Sequence, residues 1–132
     1  MPAEHKIDHQ LKIVFTVWSG DADDLELVSA FSRYLQSIIN QCPAPYDEIL
    51  DFSEAGTITA SNSCIKTLAR MAAARDVEGV KTRLAIVAGQ KFAFGLGRMY
   101  AIYRELYSEN SKEVRVYLHR SEAMEWMNSS RD

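Results

Sequence analysis

The sequence lacks the features that mark redox, zinc-binding or secreted proteins. Its 132 residues include two cysteines, Cys42 and Cys64, which form no CxxC pair, so a redox motif or a zinc ligand set has no support. The charged N-terminus has no signal-peptide core, and no apolar run approaches the roughly 18 residues of a membrane span. We therefore expect a reduced, cytoplasmic protein with no membrane span.

An excess of basic residues is also missing. The chain carries 15 Lys and Arg against 18 Asp and Glu, which gives a formal net charge of −3 at pH 7. Proteins that bind nucleic acid through phosphate contacts need clustered positive charge. The composition therefore argues against nucleic acid as a partner.

Repeats, charge blocks and linkers rich in proline or serine are absent as well. Apolar residues make up 47% of the chain, which is enough for a chain of this length to bury one sizeable core. We predict a single domain over residues 1–132, with its core at residues 11–127.

Apolar periodicity predicts strands that alternate with helices. Residues 11–18 combine β-branched and aromatic side chains and indicate a strand, with a weaker strand near residues 6–9 before it. Residues 19–21 interrupt this pattern, and Asp21 with Asp24 predicts the capped start of a helix. The further predicted elements are the rest of this helix to about residue 40, a strand at 48–52, a polar loop at 53–59, a helix from residue 60 or 61, a strand at 84–88, a helix at 92–107, a strand at 114–118 and a final helix capped by Ser121.

The predicted order is ββαβαβαβα, which indicates an α/β fold. Strand-helix-strand units with short loops place parallel strands side by side through right-handed crossovers. We expect a mostly parallel sheet of about five strands with four helices, and a first strand that is antiparallel at one edge.

Two stretches of the chain resemble a known fold family. The segment EILDFSEAGTITASNSCIKTLARM resembles the third strand, loop and helix of the STAS domain of anti-sigma factor antagonists and sulphate transporters. The segments RLAIVAGQKFAFGLGRMYAIYREL and EVRVYLHRSEAMEWM are similar to small stand-alone bacterial STAS-like proteins of largely unknown function. The residues that carry this second likeness are Ala93, Phe94, Gly95, Arg98, Met99, Tyr100, Ala123 and Trp126.

The resemblance implies a regulatory module that binds another protein, with one departure. Antagonist STAS domains carry an Asp-Ser-Ser-Gly sequence whose first serine is phosphorylated, and the matching position here is Ala60. Ser61, or Thr59 if the loop shifts by one residue, would have to replace it as the acceptor. The intact phosphorylation motif is therefore absent.

Two polar helix starts are the candidate sites. The loop before the second helix places hydroxyl groups where helix N–H groups favour an anion or an added phosphate, although ordinary capping explains them too. We predict that this loop and the adjacent helix bind a phosphate or a partner. The candidate residues there are Thr57, Thr59, Ser61, Ser63, Lys66 and Arg70.

The second candidate is a pocket between the sheet and the 92–107 helix. Lys91 could meet an anion at the carboxyl end of the preceding strand, where open α/β sheets usually bind ligands. Phe92, Leu96, Met99, Tyr103 and Leu106 form the predicted inner row of the helix, and Gly95 and Gly97 are predicted close-packing points. The candidate pocket residues are Gln90, Lys91, Phe94, Arg98 and Tyr100.

No catalytic constellation emerges from the sequence. The pair His5 and His9 has no evident third metal ligand, and the GxSxG motif of serine hydrolases is absent. We expect a non-enzymatic protein without a cofactor: a regulatory interaction module, switched by phosphate at the loop, with a protein partner. The alternative is a protein that binds a small apolar or lipid-like ligand. A homodimer is plausible if a sheet face bearing Val14, Thr16 and Trp18 stays uncovered.

Overall fold

The computed structural model describes residues 2–107 and 111–131. A five-stranded sheet forms the centre of the fold, with its strands in sequence order across the sheet. The first strand is antiparallel to the second, and the other pairs of neighbours are parallel. The strands are β1 (Ala3–Asp8), β2 (Ile13–Ala22), β3 (Asp47–Ile58), β4 (Thr82–Val87) and β5 (Lys112–Tyr117). The predicted fold class is therefore confirmed.

Four α-helices connect and follow these strands: α1 (Asp24–Arg33), α2 (Asn62–Ala73), α3 (Lys91–Tyr107) and α4 (Arg120–Met127). A π-helical segment at Tyr34–Ile38 and a 3-10 turn at Ile39–Gln41 prolong α1. Each crossover joins neighbouring parallel strands in the same direction across the sheet, so right-handed crossovers place α1, α2 and α3 on one face. The chain then crosses to the other face, where α4 packs.

The α4 face of the sheet has a closed core. Ala123, Trp126 and Met127 pack there against Ile13, Ile49, Ala85 and Val87. The opposite face of the same strands presents Val14, Thr16 and Trp18, which are 0%, 8% and 3% exposed beneath the other helices. The condition given for a homodimer through these three residues, an uncovered sheet face, is therefore not met.

Two strands are longer than predicted. Residues 19–21 and most of the predicted loop at 53–59 continue β2 and β3, which pair with each other as far as Ala22 and Ile58 through two register shifts. These polar residues form a ribbon that projects beyond β4, so their side chains are exposed and the apolar pattern is lost. Asp21 accepts a hydrogen bond from the backbone N–H of Thr57 (2.8 Å). The N-cap of α1 is Asp23 rather than Asp21.

The helices α3 and α4 also differ in detail from the predictions. Phe92 and Leu106, expected in the inner row of α3, are 59% and 71% exposed. The buried residues of α3 are Ala93, Leu96, Gly97 and Arg104, of which only Leu96 belongs to the predicted row. An arginine can lie on this buried face because it pairs with Asp76. The N-cap of α4 is His119, whose backbone N–H donates to Glu122, and not Ser121.

The two glycines of α3 have opposite environments. A Cβ added at Gly97 would lie 3.1 Å and 3.3 Å from the two methyl groups of Val116 and 3.4 Å from Ile86, whereas one at Gly95 would meet nothing within 4 Å. Close packing is confirmed for Gly97. The prediction for Gly95 is wrong because this residue faces solvent.

We predict that Gly95→Ala and Gly97→Ala change stability differently. At exposed Gly95, alanine should stabilise the protein by about 0.5–1 kcal/mol, because it restricts the unfolded chain and favours the helix. At Gly97 the crowded β5 side chains must shift, which offsets this gain. Urea unfolding of both variants and the wild type measures the effect. Equal stabilisation by the two substitutions would contradict the packing described here.

Candidate functional site

A cavity of about 390 Å³ lies between the sheet and the helices α1, α2 and α3. The sheet contributes large apolar side chains such as Trp18, Leu50 and Leu84 to its floor. The helices contribute small residues as well as large ones, and these small residues leave room above the sheet. The small residues are Ala30, Ala72, Ala93 and Gly97.

The cavity opens at the end of the sheet where the parallel strands begin. Among the described residues that line it, the exposed ones lie in two segments, 43–45 before β3 and 75–77 after α2. Open α/β sheets usually bind ligands at the opposite edge, beyond the carboxyl ends of the strands. The predicted pocket residues Gln90 and Lys91 lie at that opposite edge and outside this cavity.

Two ion pairs lie near the opening. Glu48 accepts hydrogen bonds from the hydroxyl of Tyr34 (2.7 Å) and from the Nζ of Lys112 (2.6 Å). Arg104 donates to both carboxylate oxygens of Asp76, each at 2.8 Å. All five of these residues line the cavity. Within these two pairs the cations and the carboxylates balance, and the exposed Arg75 adds a further cation at the opening.

Burial and the neighbouring charges shift the titration of these groups. Burial, followed by the charge of Glu48, raises the pKa of Tyr34 well above its usual value. Burial likewise raises the pKa of Tyr100, although Arg104 opposes the rise. For Arg104, burial alone would lower the pKa, but the hydrogen bonds with Asp76 and the charges of neighbouring groups raise it. At neutral pH both tyrosines are therefore uncharged and Arg104 is a cation.

Two buried donors at the cavity have no hydrogen-bond partner among the described residues. They are the indole Nε1 of Trp18 and the Nε of Arg104, and both residues line the cavity. Trp18 is 3% exposed and Arg104 is 2% exposed. Buried polar groups are satisfied in the great majority of cases. These two donor atoms are exceptions, and they have no exposed surface of their own, so they lie within the packed wall rather than open to the cavity.

Of the predicted pocket residues, Tyr100 lines the cavity and the other four do not. Gln90 donates to the backbone carbonyl of Ala55 (3.2 Å), and Phe94 packs at the edge of the apolar core. Lys91 and Arg98 are exposed. Arg98 lies on the outer side of α3 because the buried stripe runs through Gly97 and Arg104 instead.

The loop candidates form two separate groups. Ser61 is the N-cap of α2, and its hydroxyl accepts from the N–H of Cys64 (3.1 Å) and donates to Asp24 (2.7 Å). The Oγ of Ser63 lies 3.3 Å from that of Ser61. Thr57 and Thr59 are exposed before the helix, at the end of β3 and just after it.

The basic candidates lie further along α2. Lys66 is exposed, and Arg70 stacks on the ring of Tyr107 at 5.3 Å and donates to its hydroxyl (3.3 Å). The structure therefore brings Ser61 and Ser63 into contact, whereas Arg70 contacts Tyr107 instead of the two serines.

The anion-binding position predicted at the start of α2 is occupied by the carboxylate of Asp24. Asp24 accepts from both the backbone N–H (2.9 Å) and the hydroxyl of Ser61, and these hydrogen bonds lower the pKa of Asp24. The contact joins the start of α1 to the start of α2, and both helices line the cavity. Burial, followed by the charge of Asp24, raises the pKa of the adjacent Cys64 thiol to about 11, which keeps it protonated and poorly nucleophilic at neutral pH.

The groups around the opening were missed by the sequence analysis. Arg104 and Asp76 are 28 residues apart, and Glu48 and Lys112 are 64 apart, so no local motif connects either pair. One signal was available for Arg104. It lies seven residues after Gly97 and four after Tyr100, which places it on the same side of a helix.

Two further searches of the described residues gave negative results. No group of three or more His, Cys, Asp or Glu side chains in residues 2–107 and 111–131 is placed to hold a metal ion. No helix in this part of the chain is both long and apolar enough to cross a membrane.

Comparison with known proteins supports the fold. The chain matches no protein-family model and no curated protein. It is similar to the crystal structure of an uncharacterized protein of the DUF3478 family, with a SpoIIAA-like fold, from Shewanella loihica PV-4. The TM-score is 0.58 at 9% sequence identity, and the match covers 95% of this chain and 91% of that one. This likeness confirms the predicted STAS-like fold, and at such low identity it shows the fold alone.

We predict that Ser61→Ala destabilises the protein by about 1 kcal/mol, because α2 loses its N-cap and α1 loses a contact with α2. Ser63→Ala is the matched control, since Ser63 is exposed and does not cap the helix. Chemical denaturation of the two variants checks the expectation. Equal losses of stability would show that the cap and the contact with Asp24 contribute little.

We predict that His5 makes folding stability depend on pH. Burial lowers the pKa of His5 below its usual value near 6.5, so below that pH the unfolded chain binds a proton that the folded chain does not. The contribution of His5 is present above about pH 6.5 and is lost as the pH falls towards the folded-state pKa. His5→Asn should therefore lose less stability than the wild type between about pH 7.5 and pH 5 in urea titrations. If the wild type and His5→Asn lost the same free energy of unfolding between these two pH values, the prediction would be refuted.

Proposed function

We propose that this protein is a non-enzymatic, cytoplasmic binding protein that holds a small apolar or lipid-like ligand. The observation that carries the proposal is the cavity of about 390 Å³ between the sheet and α1, α2 and α3. Ligand sites in proteins commonly measure roughly 300–1,000 Å³ and combine apolar walls with a few polar groups. The cavity matches this description in size and in chemistry.

The chemistry of the cavity favours an elongated ligand with a mostly apolar body. Trp18, Leu50, Phe52, Leu68 and Leu84 supply apolar wall, while the polar groups gather near the opening. Each buried methylene group contributes about 0.8 kcal/mol, so a ten-carbon chain gains about 8 kcal/mol before the costs of binding are subtracted. An alkyl chain of this length therefore binds where this gain exceeds those costs, without any covalent step.

The two loops at the opening provide an entry route. Pro43, Ala44 and Pro45 lie on one side, and Arg75 and Val77 lie on the other. These residues are exposed and belong to connections rather than to helices or strands. Asp76 holds the second loop to Arg104, so the segment at residues 43–45 is the side that can move. Loops with few buried contacts open at low free-energy cost, so a ligand can enter there without separating a helix from the sheet.

A second candidate function is a regulatory interaction module with a protein partner. The observation that favours it is the contact of Ser61 with Asp24, which joins the starts of two helices. A phosphate on Ser61 would place up to two negative charges beside the carboxylate of Asp24 and break this contact. The changed surface at Ser61, Ser63 and Lys66 would then alter the affinity for a partner or for a second copy of the chain.

Phosphopeptide mass spectrometry and pulldown from the native host test this second candidate. We expect phosphate in the 57–63 segment, and a different set of partners for Ser61→Asp than for Ser61→Ala. The alanine variant removes the hydroxyl without adding charge, so it separates the effect of charge from the loss of the cap. Absence of phosphate together with identical partners would exclude the switch.

We predict that Leu50→Trp abolishes ligand retention. The larger side chain fills the space above the sheet, whereas the control Leu106→Trp adds the same ring at an α3 position that is 71% exposed. Native mass spectrometry of gently purified protein should show a non-protein adduct on the wild type and on Leu106→Trp, and none on Leu50→Trp. Circular dichroism confirms that each variant is folded.

Two results would contradict the proposed function. One is an adduct that persists unchanged on Leu50→Trp, since it would then lie outside the cavity. The other is a wild-type protein that carries no adduct and whose melting temperature does not rise with added alkyl compounds.

A further inference from the structure

The strand β5 forms one edge of the sheet, and its outer side has no neighbouring strand. The N–H of Thr82 donates to the carbonyl of Ser111, and β5 then pairs with β4 over six consecutive residues. Alternate residues of a strand direct their backbone groups to the same side, so the odd-numbered residues of β5 are the ones that bond to β4. The N–H and C=O groups that point outward from the sheet belong to Lys112, Val114 and Val116.

This edge lacks the features that usually protect an edge strand from pairing with another chain. Such features are proline, bulges and outward lysines. The strand contains no proline, and its register with β4 is continuous. Its lysine, Lys112, is 9% exposed at the side chain and paired with Glu48, so it does not shield the edge. The outward backbone groups of β5 are therefore available to a further strand.

The sequence of β5 is complementary to itself in antiparallel pairing. When Val114 lies opposite Val114 of a second copy, Lys112 lies opposite Val116, and the outward backbone groups of these residues bond to each other. In the same register Glu113 lies opposite Arg115 of the second copy, which pairs opposite charges. A shift of the centre by one residue would place Glu113 opposite Glu113, or Arg115 opposite Arg115. Like charges directly opposite are destabilising, so the register centred on Val114 is favoured.

One side of α3 lies above this edge. The hydroxyl of Tyr107 accepts a hydrogen bond from Arg70 of α2, which places that side of α3 against α2. Gly97 faces Val116 and Ile86 of the sheet. The remaining flank of α3, opposite α2, therefore runs along the outer edge of β5. At 3.6 residues per turn this flank carries Arg98, Ala101 and Glu105.

A twofold axis through Val114 would also relate the two copies of α3. Gly97 packs on Val116, and Val114 lies two residues back along β5, or about 6.6 Å at 3.3 Å per residue. The same distance corresponds to about 4.4 residues of helix at 1.5 Å per residue. Because α3 runs antiparallel to β5, the axis passes close to residues 101–102 of the helix.

This axis pairs opposite charges on α3 as well as on β5. Arg98 and Glu105 lie at equal distances on either side of it, so Arg98 of one copy faces Glu105 of the other. Both side chains are exposed, and neither forms an ion pair within residues 2–107 and 111–131. The same symmetry therefore satisfies the charges of two separate elements.

The spacing of the two helices is suitable for close packing. Since α3 lies above both β4 and β5, the two copies of α3 would be separated by about two strand spacings, or about 10 Å. Packed helices have axes about 8–10 Å apart, depending on the side chains at the contact. The small side chain of Ala101, next to the axis, permits this approach.

We infer that two copies of this protein form a symmetric dimer, in which the β5 strands pair antiparallel about Val114 and the α3 helices pack side by side. One continuous sheet then crosses both copies. The contact is closed, because each copy uses the same edge for the other. The inference goes beyond the proposed function, since it concerns the sheet edge and needs no ligand in the cavity.

A proline at position 114 tests the strand pairing. Val114→Pro removes an N–H that the pairing with β4 does not use, and proline is tolerated at an edge where the N–H faces outward. Size-exclusion chromatography with light scattering should give the wild type twice the 14.9 kDa of one chain, and Val114→Pro the mass of one chain. The control Val114→Ala keeps the N–H and should remain a dimer. Circular dichroism confirms that each variant is folded.

An exchange of charges tests the helix contact. Arg98→Glu places carboxylates opposite one another at both symmetric sites, so the dimer dissociation constant should rise about tenfold or more in sedimentation equilibrium. Adding Glu105→Arg to the same chain restores opposite charges across the axis and should restore the wild-type dissociation constant. The two positions lie seven residues apart, or about 10.5 Å along the helix, so an ion pair within one chain does not explain such a recovery.

Three results would overturn the inference. A wild type that stays monomeric leaves the β5 edge to a strand from another protein. A dimer that persists in folded Val114→Pro places the interface elsewhere. A double charge variant that dimerises no better than Arg98→Glu removes the twofold arrangement of α3. The charge exchange lies at exposed positions, so it gives its answer even if Val114→Pro does not fold.

Discussion

The hydrogen bonds between Arg104 and Asp76 hold α3 to the segment that follows α2, and the arrangement around the cavity depends on them. A guanidinium that is 2% exposed requires a paired anion, and removing one partner of a buried pair commonly costs about 3–5 kcal/mol. The pair therefore allows Arg104 to lie on the buried face of α3, together with the small residues Ala93 and Gly97. Gly97 then lies against β5, and Tyr100 reaches the cavity.

The two faces of the sheet serve different purposes. On the α4 face, buried Arg83 donates to the backbone carbonyls of Trp126, Ser129 and Ser130 and stacks on the Trp126 ring at 5.0 Å. These contacts fix the end of the described chain and close that side. On the other face three helices share one side of the sheet, and their small residues leave a cavity. The closed face therefore lies opposite the face that contains the cavity.

The contact of Ser61 with Asp24 connects the two proposed functions physically. It joins α1 to α2, and both helices contribute walls to the cavity through residues such as Leu27 and Leu68. Loss of this contact would therefore shift α1 relative to α2 and change the cavity walls directly, because both helices line the cavity. Coupling of this kind is reciprocal, so a ligand that favours one arrangement of the helices would also alter the surface around Ser61.

The sequence by itself determined the order of elements, the parallel sheet and the STAS-like fold, because local periodicity and short loops leave few topologies. It also placed Ser61 at a helix start and Gly97 at a close contact. Only the tertiary structure decided the rest. Residues 53–58 have the composition of a loop, but they belong to β3 and pair with β2. The sequence did not reveal this strand because its many polar residues give no alternating apolar pattern. The cavity and its ion pairs depend on residues far apart in the chain, such as Asp76 with Arg104, and pairing across such distances leaves no local pattern to detect.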